Sequence, residues 1–232
     1  MSKRLILAGV AAFAAATSTP SASHAASPVF NWTGCYVGAH AGYGSSRVNQ
    51  NSTNVYSNGF EVAKYDADGG LAGGQLGCNY QFAASNWIIG LDAAMSAANM
   101  TGTGLDGYIP GGPFYDTGKV SRLGSVTGRI GWNGWWTPQL LTYVKGGGAW
   151  SKFQYVNTYI ISPPYHGDHN RSGWTAGAGA EWAFTPRWSM FLEYDYYDFG
   201  TKKMQDESGS TPFPVKLSMQ TVKVGVNFRI IP

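Results

Sequence analysis

The segment WTAGAGAEWAF, residues 174–184, alternates between apolar residues and small or polar residues along most of its length. Its even positions carry Trp, Ala or Phe, and Thr175, Gly177, Gly179 and Glu181 lie between them. A repeat of two residues predicts a β-strand with one apolar and one polar face. Because aromatic residues stand at both ends of the apolar face, as they do at the two interfaces of a bilayer, the segment predicts a membrane-spanning strand.

Seven further segments alternate in the same way. The predicted strands are residues 33–45, 69–82, 87–98, 120–132, 140–153, 173–184, 188–199 and 216–230. Each exceeds the roughly 9–11 residues that a tilted strand needs to cross a bilayer. The long, polar connections are 46–68, 99–119, 154–172 and 200–215. The short connections are 83–86, 133–139 and 185–187. The prediction is therefore an all-β fold, an eight-stranded antiparallel transmembrane β-barrel with short periplasmic turns and long extracellular loops.

Residues 1–25 are typical of a cleaved signal peptide. Lys3 and Arg4 precede an apolar run over residues 5–16, and Ser23-His24-Ala25 suits a cleavage site. Residues 26–232 then form one predicted domain, the barrel, in the outer membrane of a Gram-negative cell. The composition agrees, because 32 Gly, 15% aromatic and only 12% charged residues are atypical of a soluble domain. A formal net charge of +3 argues against a strongly basic nucleic-acid-binding protein.

Charged residues on the polar faces of these strands are expected to point into the barrel. Acidic and basic groups are equal in number among them: Asp92, Arg129, Lys145, Glu181, Glu193, Asp195, Lys223 and Arg229. The same register also turns Leu123, Leu141 and Tyr143 inward. Because an eight-stranded barrel is just wide enough for side chains to fill, we expect an ion network that closes the bore. The alternative is a proton or ion path along the same groups.

The two cysteines, Cys35 and Cys78, lie in the first two predicted strands. Both belong to the apolar set of their strand and both lie near its periplasmic end, so antiparallel pairing brings them nearly opposite each other. A cross-strand disulfide is expected in the oxidising periplasm. Since sequence alone does not set the register to one residue, two unbonded lipid-facing thiols are the alternative.

Basic residues in or beside the long connections are expected to form an extracellular rim. They are Arg47, Lys64, Lys119, Arg122, Lys152, Arg171, Lys202 and Lys203. Such a ring would attract the phosphates of lipopolysaccharide and help to seat the barrel among the outer-membrane lipids. Ordinary solvation of charged loops is the alternative interpretation.

The third long connection holds the residue types that could serve as catalytic or metal-binding groups. His166 and His169 flank Asp168 there, and Asp198 ends the seventh predicted strand. Polar loops carry stray His and Asp residues routinely, and a single motif match is weak. We therefore expect no catalytic residue, no metal site and no cofactor, and an enzyme ranks last among the functions.

Six motifs carry a resemblance to a known family. They are NWTGCYVG (31–38), AGYG (41–44), TGRIGW (127–132), KGGGAW (145–150), EYDYYDFG (193–200) and VKVGVNF (222–228). In this order they resemble the strands of small outer-membrane porin-family proteins of alphaproteobacteria, also called outer-membrane surface antigens. The resemblance implies the barrel of the OmpA membrane domain, a place in the cell envelope, and insertion by the barrel-assembly machinery. Two departures are Cys35, where the family usually has Phe or Tyr, and the non-aromatic terminal Pro232.

The leading functional expectation is a non-enzymatic outer-membrane barrel that supports envelope integrity and presents its loops at the cell surface. One alternative is a small porin-like channel for ions or solutes. A second is a surface receptor or adhesin that binds a ligand such as haem or a host molecule. Aromatic residues in the loops support this second alternative, because loops on rigid scaffolds often bind ligands. They are Tyr56, Phe60, Tyr108, Phe114, Tyr115, Tyr159 and Tyr165.

Overall fold

A computed structural model describes residues 30–51, 61–109, 112–158, 165–204 and 213–231, so the predicted signal peptide lies outside the described residues. Eight antiparallel strands close into a barrel in chain order, which confirms the predicted fold. They are β1 (Gly34–Asn51), β2 (Glu61–Gln81), β3 (Trp87–Ile109), β4 (Gly112–Trp132), β5 (Leu140–Thr158), β6 (Tyr165–Ala183), β7 (Trp188–Met204) and β8 (Phe213–Ile231). No helix in this part of the chain has the length and apolar character needed to cross a membrane.

The strands extend further at one end of the barrel than the sequence predicted. Most residues of the four long predicted connections belong to strands. The parts of these connections that lie outside the described residues are 52–60, 110–111, 159–164 and 205–212. The prediction stopped early because a strand above the membrane faces water on its outer side, so its outward residues are polar and the apolar alternation ends. Short turns join the strands at the opposite end, which is the periplasmic end in outer-membrane barrels.

The outward face is apolar between two belts of aromatic rings. Leu91 is 68% exposed and Leu192 58%, as expected for side chains in contact with lipid. At the periplasmic end, the rings of Trp87 and Trp132 lie 4.9 Å apart on neighbouring strands. The outward tryptophans nearer the extracellular end include Trp150 and Trp174. Ring belts of this kind mark the two interfaces of a bilayer.

The inward face forms three layers. The periplasmic layer is apolar and consists of Trp32, Ile88, Leu141, Tyr143 and Ala183, with Phe30 packed against it. Buried charged and hydroxyl side chains fill the middle. A larger apolar cluster fills the extracellular half: Tyr65, Leu71, Met100, Val120, Leu123, Ala149, Phe153, Tyr197, Phe199, Val215, Leu217 and Met219. Leu123, Leu141 and Tyr143 therefore point inward, as the alternation predicted.

Candidate functional site: the barrel lumen

Two lysines and two carboxylates meet at the centre of the lumen. Glu193 and Asp195 are two residues apart on β7 and therefore share its inward face. Lys145 of β5 and Lys223 of β8 both place Nζ 2.8 Å from the same oxygen, Oε1 of Glu193. Lys223 also lies 2.6 Å from Asp195 Oδ2, and Lys145 lies 3.5 Å from Asp195 Oδ1. All four side chains are buried, so each charge depends on the others.

The hydroxyl groups of two tyrosines donate hydrogen bonds to carboxylates in the lumen. The Tyr143 hydroxyl donates to Glu193 Oε2 at 2.9 Å, and the Tyr36 hydroxyl donates to Asp92 Oδ2 at 2.8 Å. Asp92 also lies 3.9 Å from Lys145 Nζ, which connects β3 to the central group. The sequence reasoning missed both phenols as members of the network. Their position on the inward face of β1 and β5 was the signal that could have identified them.

A second ion pair lies toward the periplasmic end. Arg129 Nη1 is 3.4 Å from Glu181 Oε2, and Arg129 Nε donates to Asn79 Oδ1 at 2.8 Å. Ser189 and Asn227 donate to the other oxygen of Glu181, at 2.5 and 2.8 Å. The guanidinium of Arg129 also lies 5.0 Å from the ring centres of Tyr36 and Tyr143. Those two rings therefore connect the second ion pair to the central cluster.

Arg229 is held differently from the other seven predicted network residues. Within the described residues it pairs with none of the four acids, and Nη1 donates to the backbone carbonyl of Asn31 at 2.7 Å. Its guanidinium lies 4.4 Å from the ring centre of Phe30 and 4.9 Å from that of Trp32. Arg229 thus holds the segment before β1 against the periplasmic end of the barrel.

The packing around the network depends on close approach of neighbouring strands. A Cβ atom added to Gly177 would meet Asp195 Oδ1 and would lie 2.6 Å from the backbone oxygen of Tyr194. Because Gly177 is on the polar face, alternation predicts that Gly177→Ser is milder than Ala178→Arg. The structure leaves no space for a side chain at Gly177 against the backbone of β7, so we expect the serine to destabilise the barrel as well.

The periplasmic layer closes the lower mouth of the barrel. Trp32 is 1% exposed, and its indole Nε1 donates to the Pro138 carbonyl in the turn between β4 and β5 at 2.9 Å. Its backbone N–H donates to Gln81 Oε1 at 2.9 Å. These bonds hold the ring across the lumen beside Ile88 and Leu141. The charged middle layer is therefore enclosed between apolar side chains on both sides.

Cys35 and Cys78 are direct cross-strand partners of β1 and β2, with 4.0 Å between their Cα atoms. Their sulfur atoms are bonded. Both residues lie on the outward face, with Cys78 exposed and Cys35 partly exposed. The bond joins β1 to β2 beside the seam at which β1 also pairs with β8.

Most of the predicted rim cations that can be placed lie outside the lumen. Arg47 is exposed and pairs with the exposed Asp66 at 3.3 Å. Arg122 and Lys202 are exposed, and Lys119 and Lys152 are partly exposed. The side chains of Lys64 and Lys203 lie outside the described residues.

Arg171 is not a rim residue, and the prediction was wrong for this position. Its side chain is 2% exposed, donates from Nη1 to the Val215 carbonyl at 3.0 Å, and lies 5.7 Å from the ring centre of Phe153. The reason is that β6 begins at Tyr165, so Arg171 continues the inward set that contains Thr175.

The side chains of His166, Asp168 and His169, the candidates considered in the third long connection, lie outside the described residues. Asp198 accepts a hydrogen bond from the backbone N–H of Gly200 at 2.7 Å. In the described part of the chain, no group of three or more His, Cys, Asp or Glu residues could hold a metal ion.

Comparisons with known proteins agree with the barrel fold. A family model for the outer membrane protein beta-barrel domain matches residues 6–229. The 31 kDa outer-membrane immunogenic protein of Brucella melitensis is 32% identical over 250 residues, which cover 98% of this chain and 99% of that protein. The 25 kDa outer-membrane immunogenic protein of Brucella abortus is 27% identical over 87% of this chain and 81% of its own length.

A solved structure shares the fold. The outer membrane protein OprG from Pseudomonas aeruginosa aligns with a TM-score of 0.52 at 11% identity, over 87% of this chain and 99% of that chain. The motif resemblance is thus confirmed by the family match and by the closed eight-stranded barrel. The chain belongs to the outer-membrane β-barrel proteins and is located in the outer membrane.

Proposed function

We propose that this protein is a non-enzymatic structural component of the outer membrane, with a closed lumen and surface-exposed outer segments. The observation that carries the proposal is the filling of the lumen by buried, paired charges between two apolar layers. Lys145, Lys223 and Arg129 each contact a carboxylate, so the bore holds its charges in fixed pairs. This arrangement favours a rigid barrel over the alternative of a solute channel.

Planar-bilayer recordings test the closed lumen. Refolded wild-type protein should give no steady single-channel current. A matched pair of variants locates the barrier: Phe153→Gly removes a large side chain from the extracellular apolar layer, and Trp150→Gly removes one from the lipid-facing surface. We expect openings to increase in the first variant only. Large, stable currents from the wild type would refute the proposal in favour of a pore.

A role in envelope integrity has its own test. A strain that lacks the protein should become more sensitive to detergents, and the wild-type gene should restore resistance. The Trp150→Gly variant keeps the charged residues of the lumen and lacks one outward ring. If this variant also restores resistance, the closed barrel is required and that surface ring is not. Unchanged detergent sensitivity in the deletion strain would contradict this role.

We further propose lipopolysaccharide as a partner of the outward cations. Exposed Arg122 and partly exposed Lys119 and Lys152 support this, because basic groups at the outer leaflet attract lipopolysaccharide phosphates in a salt-dependent manner. Neutralising the three together should reduce the lipopolysaccharide that is retained during purification at low salt. Arg171→Gln is the matched control, because that cation is buried. An equal loss in the control would contradict the assignment. The barrel-assembly machinery remains the proposed partner for insertion.

A further inference from the structure

The bond between Cys35 and Cys78 lies on the hydrocarbon side of the periplasmic ring belt. On β2, the outward residues on either side of Cys78 are Leu76 and Tyr80, and both are exposed. The ring centre of Tyr80 lies 5.4 Å from that of Phe82, and these two rings are the part of the belt that β2 contributes. Cys78 is one outward position further from the periplasm than Tyr80. Its sulfur therefore lies where the barrel meets lipid chains.

The neighbouring strands are apolar on the outward face at this level as well. The cross-strand partner of Cys78 on β3 is the lipid-facing Leu91. On β1, the next outward residue after Cys35 is Val37, which is exposed. The two sulfur atoms thus share an environment from which lipid excludes water and polar solutes.

The chemistry that makes the bond needs water and a soluble oxidant. One cysteine thiolate attacks a sulfur atom of an oxidising disulfide and releases one thiolate from it, which leaves a mixed disulfide on the chain. The second cysteine thiolate attacks the chain's own sulfur in the mixed disulfide and releases the other thiolate. Two cysteine thiols are oxidised, and the oxidant is reduced to two thiols, which take up the two protons that the cysteines lost. Both steps need an ionised sulfur, which is costly in hydrocarbon.

The pairing of β1 with β2 has few side chains that fix its register. Seven of the nine cross-strand pairs that follow Cys35–Cys78 contain a glycine. Register is weakly specified in glycine-rich strands, and a slip by one residue turns a strand's inward side chains, such as the buried His40, toward lipid. Because Cys35 and Cys78 are direct partners, a covalent bond between them sets the register of the pairs above it.

We infer that the Cys35–Cys78 bond is made in the periplasm, by thiol–disulfide exchange with a soluble disulfide, before the barrel enters the membrane, and that it fixes the β1–β2 register for insertion. After insertion, lipid separates the two sulfur atoms from soluble oxidants and reductants. The inference goes beyond the proposed structural role, and it is independent of whether the barrel conducts.

The order of the two steps is tested by adding an oxidant at two different stages. Reduced protein in urea is assembled into lipid nanodiscs, and oxidised glutathione, a charged disulfide, is added either before or after assembly. Alkylation after denaturation, followed by mass spectrometry, counts the remaining thiols. Oxidant added before assembly should give the bond, whereas oxidant added afterwards should give it about ten-fold more slowly or slower still. Unfolding the inserted sample in urea, with the oxidant still present, should restore bond formation.

A second pair of cysteines on the same two strands is the matched control. Ser45 and Asp68 are direct partners, are both exposed, and lie beside the exposed ion pair that joins β1 to β2. They are ten residues further along each strand than Cys35 and Cys78, and this even separation gives the same class of cross-strand pair. The control variant carries Ser45→Cys and Asp68→Cys together with Cys35→Ser and Cys78→Ser. Its bond should form whether oxidant is added before or after assembly.

The role in register is tested with the wild-type sequence alone, in its oxidised and reduced forms. The oxidised chain should reach the heat-resistant barrel, seen as a difference in gel mobility between boiled and unboiled samples, several-fold faster than the reduced chain. Equal rates would overturn the role in register.

The proposed order of the steps has its own contradicting result. It is overturned if the bond forms in the inserted wild type as fast as in the inserted control variant. Because conductance and detergent resistance are measured separately, failure here leaves the proposed structural function unaffected.

Discussion

Asp195 and Lys223 form an ion pair of 2.6 Å inside the barrel, and both side chains are almost completely buried. Lys223 is the direct cross-strand partner of Glu193, and it reaches Asp195 diagonally along the same inward face. One ammonium group therefore bridges two carboxylates. The lumen depends on that lysine more than on any surface cation, because its removal would leave buried carboxylate charge without its partner.

Replacement of Lys223 by Met should destabilise the barrel strongly. The substitution leaves Asp195 and Glu193 with Lys145 alone, and breaking a buried pair in this way typically costs about 3–5 kcal/mol. Urea unfolding in lipid vesicles, followed by tryptophan fluorescence, measures the free energy of unfolding. Lys216→Met is the matched control on the same strand, with an expected change within about 0.5 kcal/mol because Lys216 is exposed. Equal effects of the two variants would show that the network is not coupled.

Gly147 and Gly148 are neighbours that should respond oppositely to alanine. A Cβ at Gly147 would lie 2.8 Å from Thr127 Cα, whereas a Cβ at Gly148 meets nothing within 4 Å. We expect Gly147→Ala to destabilise by about 1–3 kcal/mol through overpacking. Gly148→Ala should be neutral or stabilising by a few tenths of a kcal/mol up to about 1 kcal/mol. The same unfolding assay compares them, and a reversed order would mean that the described strand spacing is wrong.

Ala178→Arg should show that the outward face of β6 contacts lipid. Ala178 is exposed on the barrel surface, opposite Val144 and Tyr194 of the adjacent strands. An arginine near the bilayer midplane costs about 2–4 kcal/mol, falling to about 0–1 kcal/mol near an interface. Ser172→Arg, on the same face but beyond Trp174, is the matched control. A harmless Ala178→Arg would reverse the assignment of inward and outward faces.

The disulfide prediction concerns the linkage between β1 and β2. The bond joins residues separated by 43 positions, for which chain entropy gives about 4 kcal/mol of stabilisation relative to the reduced chain. Mass spectrometry after alkylation of exported protein should find no free thiol at Cys35 or Cys78. Reductant should lower the unfolding free energy of the wild type and should not change that of the Cys35→Ser, Cys78→Ser double variant. Two alkylatable thiols in exported material would refute the bond.

The face on which each side chain lies could be predicted from the sequence, because alternation is a property of the local chain. Glu181 and Lys223 both follow an apolar neighbour in a repeat of two, and both are buried in the lumen. The strand ends could not be predicted, since above the membrane the outer face meets water and the apolar signal stops. Arg171 was assigned to the rim for this reason, although its strand continues past it.

The sequence by itself determined the fold class, the membrane-spanning segments and the set of inward charges, because lipid and lumen impose a period of two on each strand. Only the tertiary structure decided which charges meet. The tilt and register of eight strands place Lys145 and Lys223 on one oxygen of Glu193, and they leave Arg229 with a backbone carbonyl.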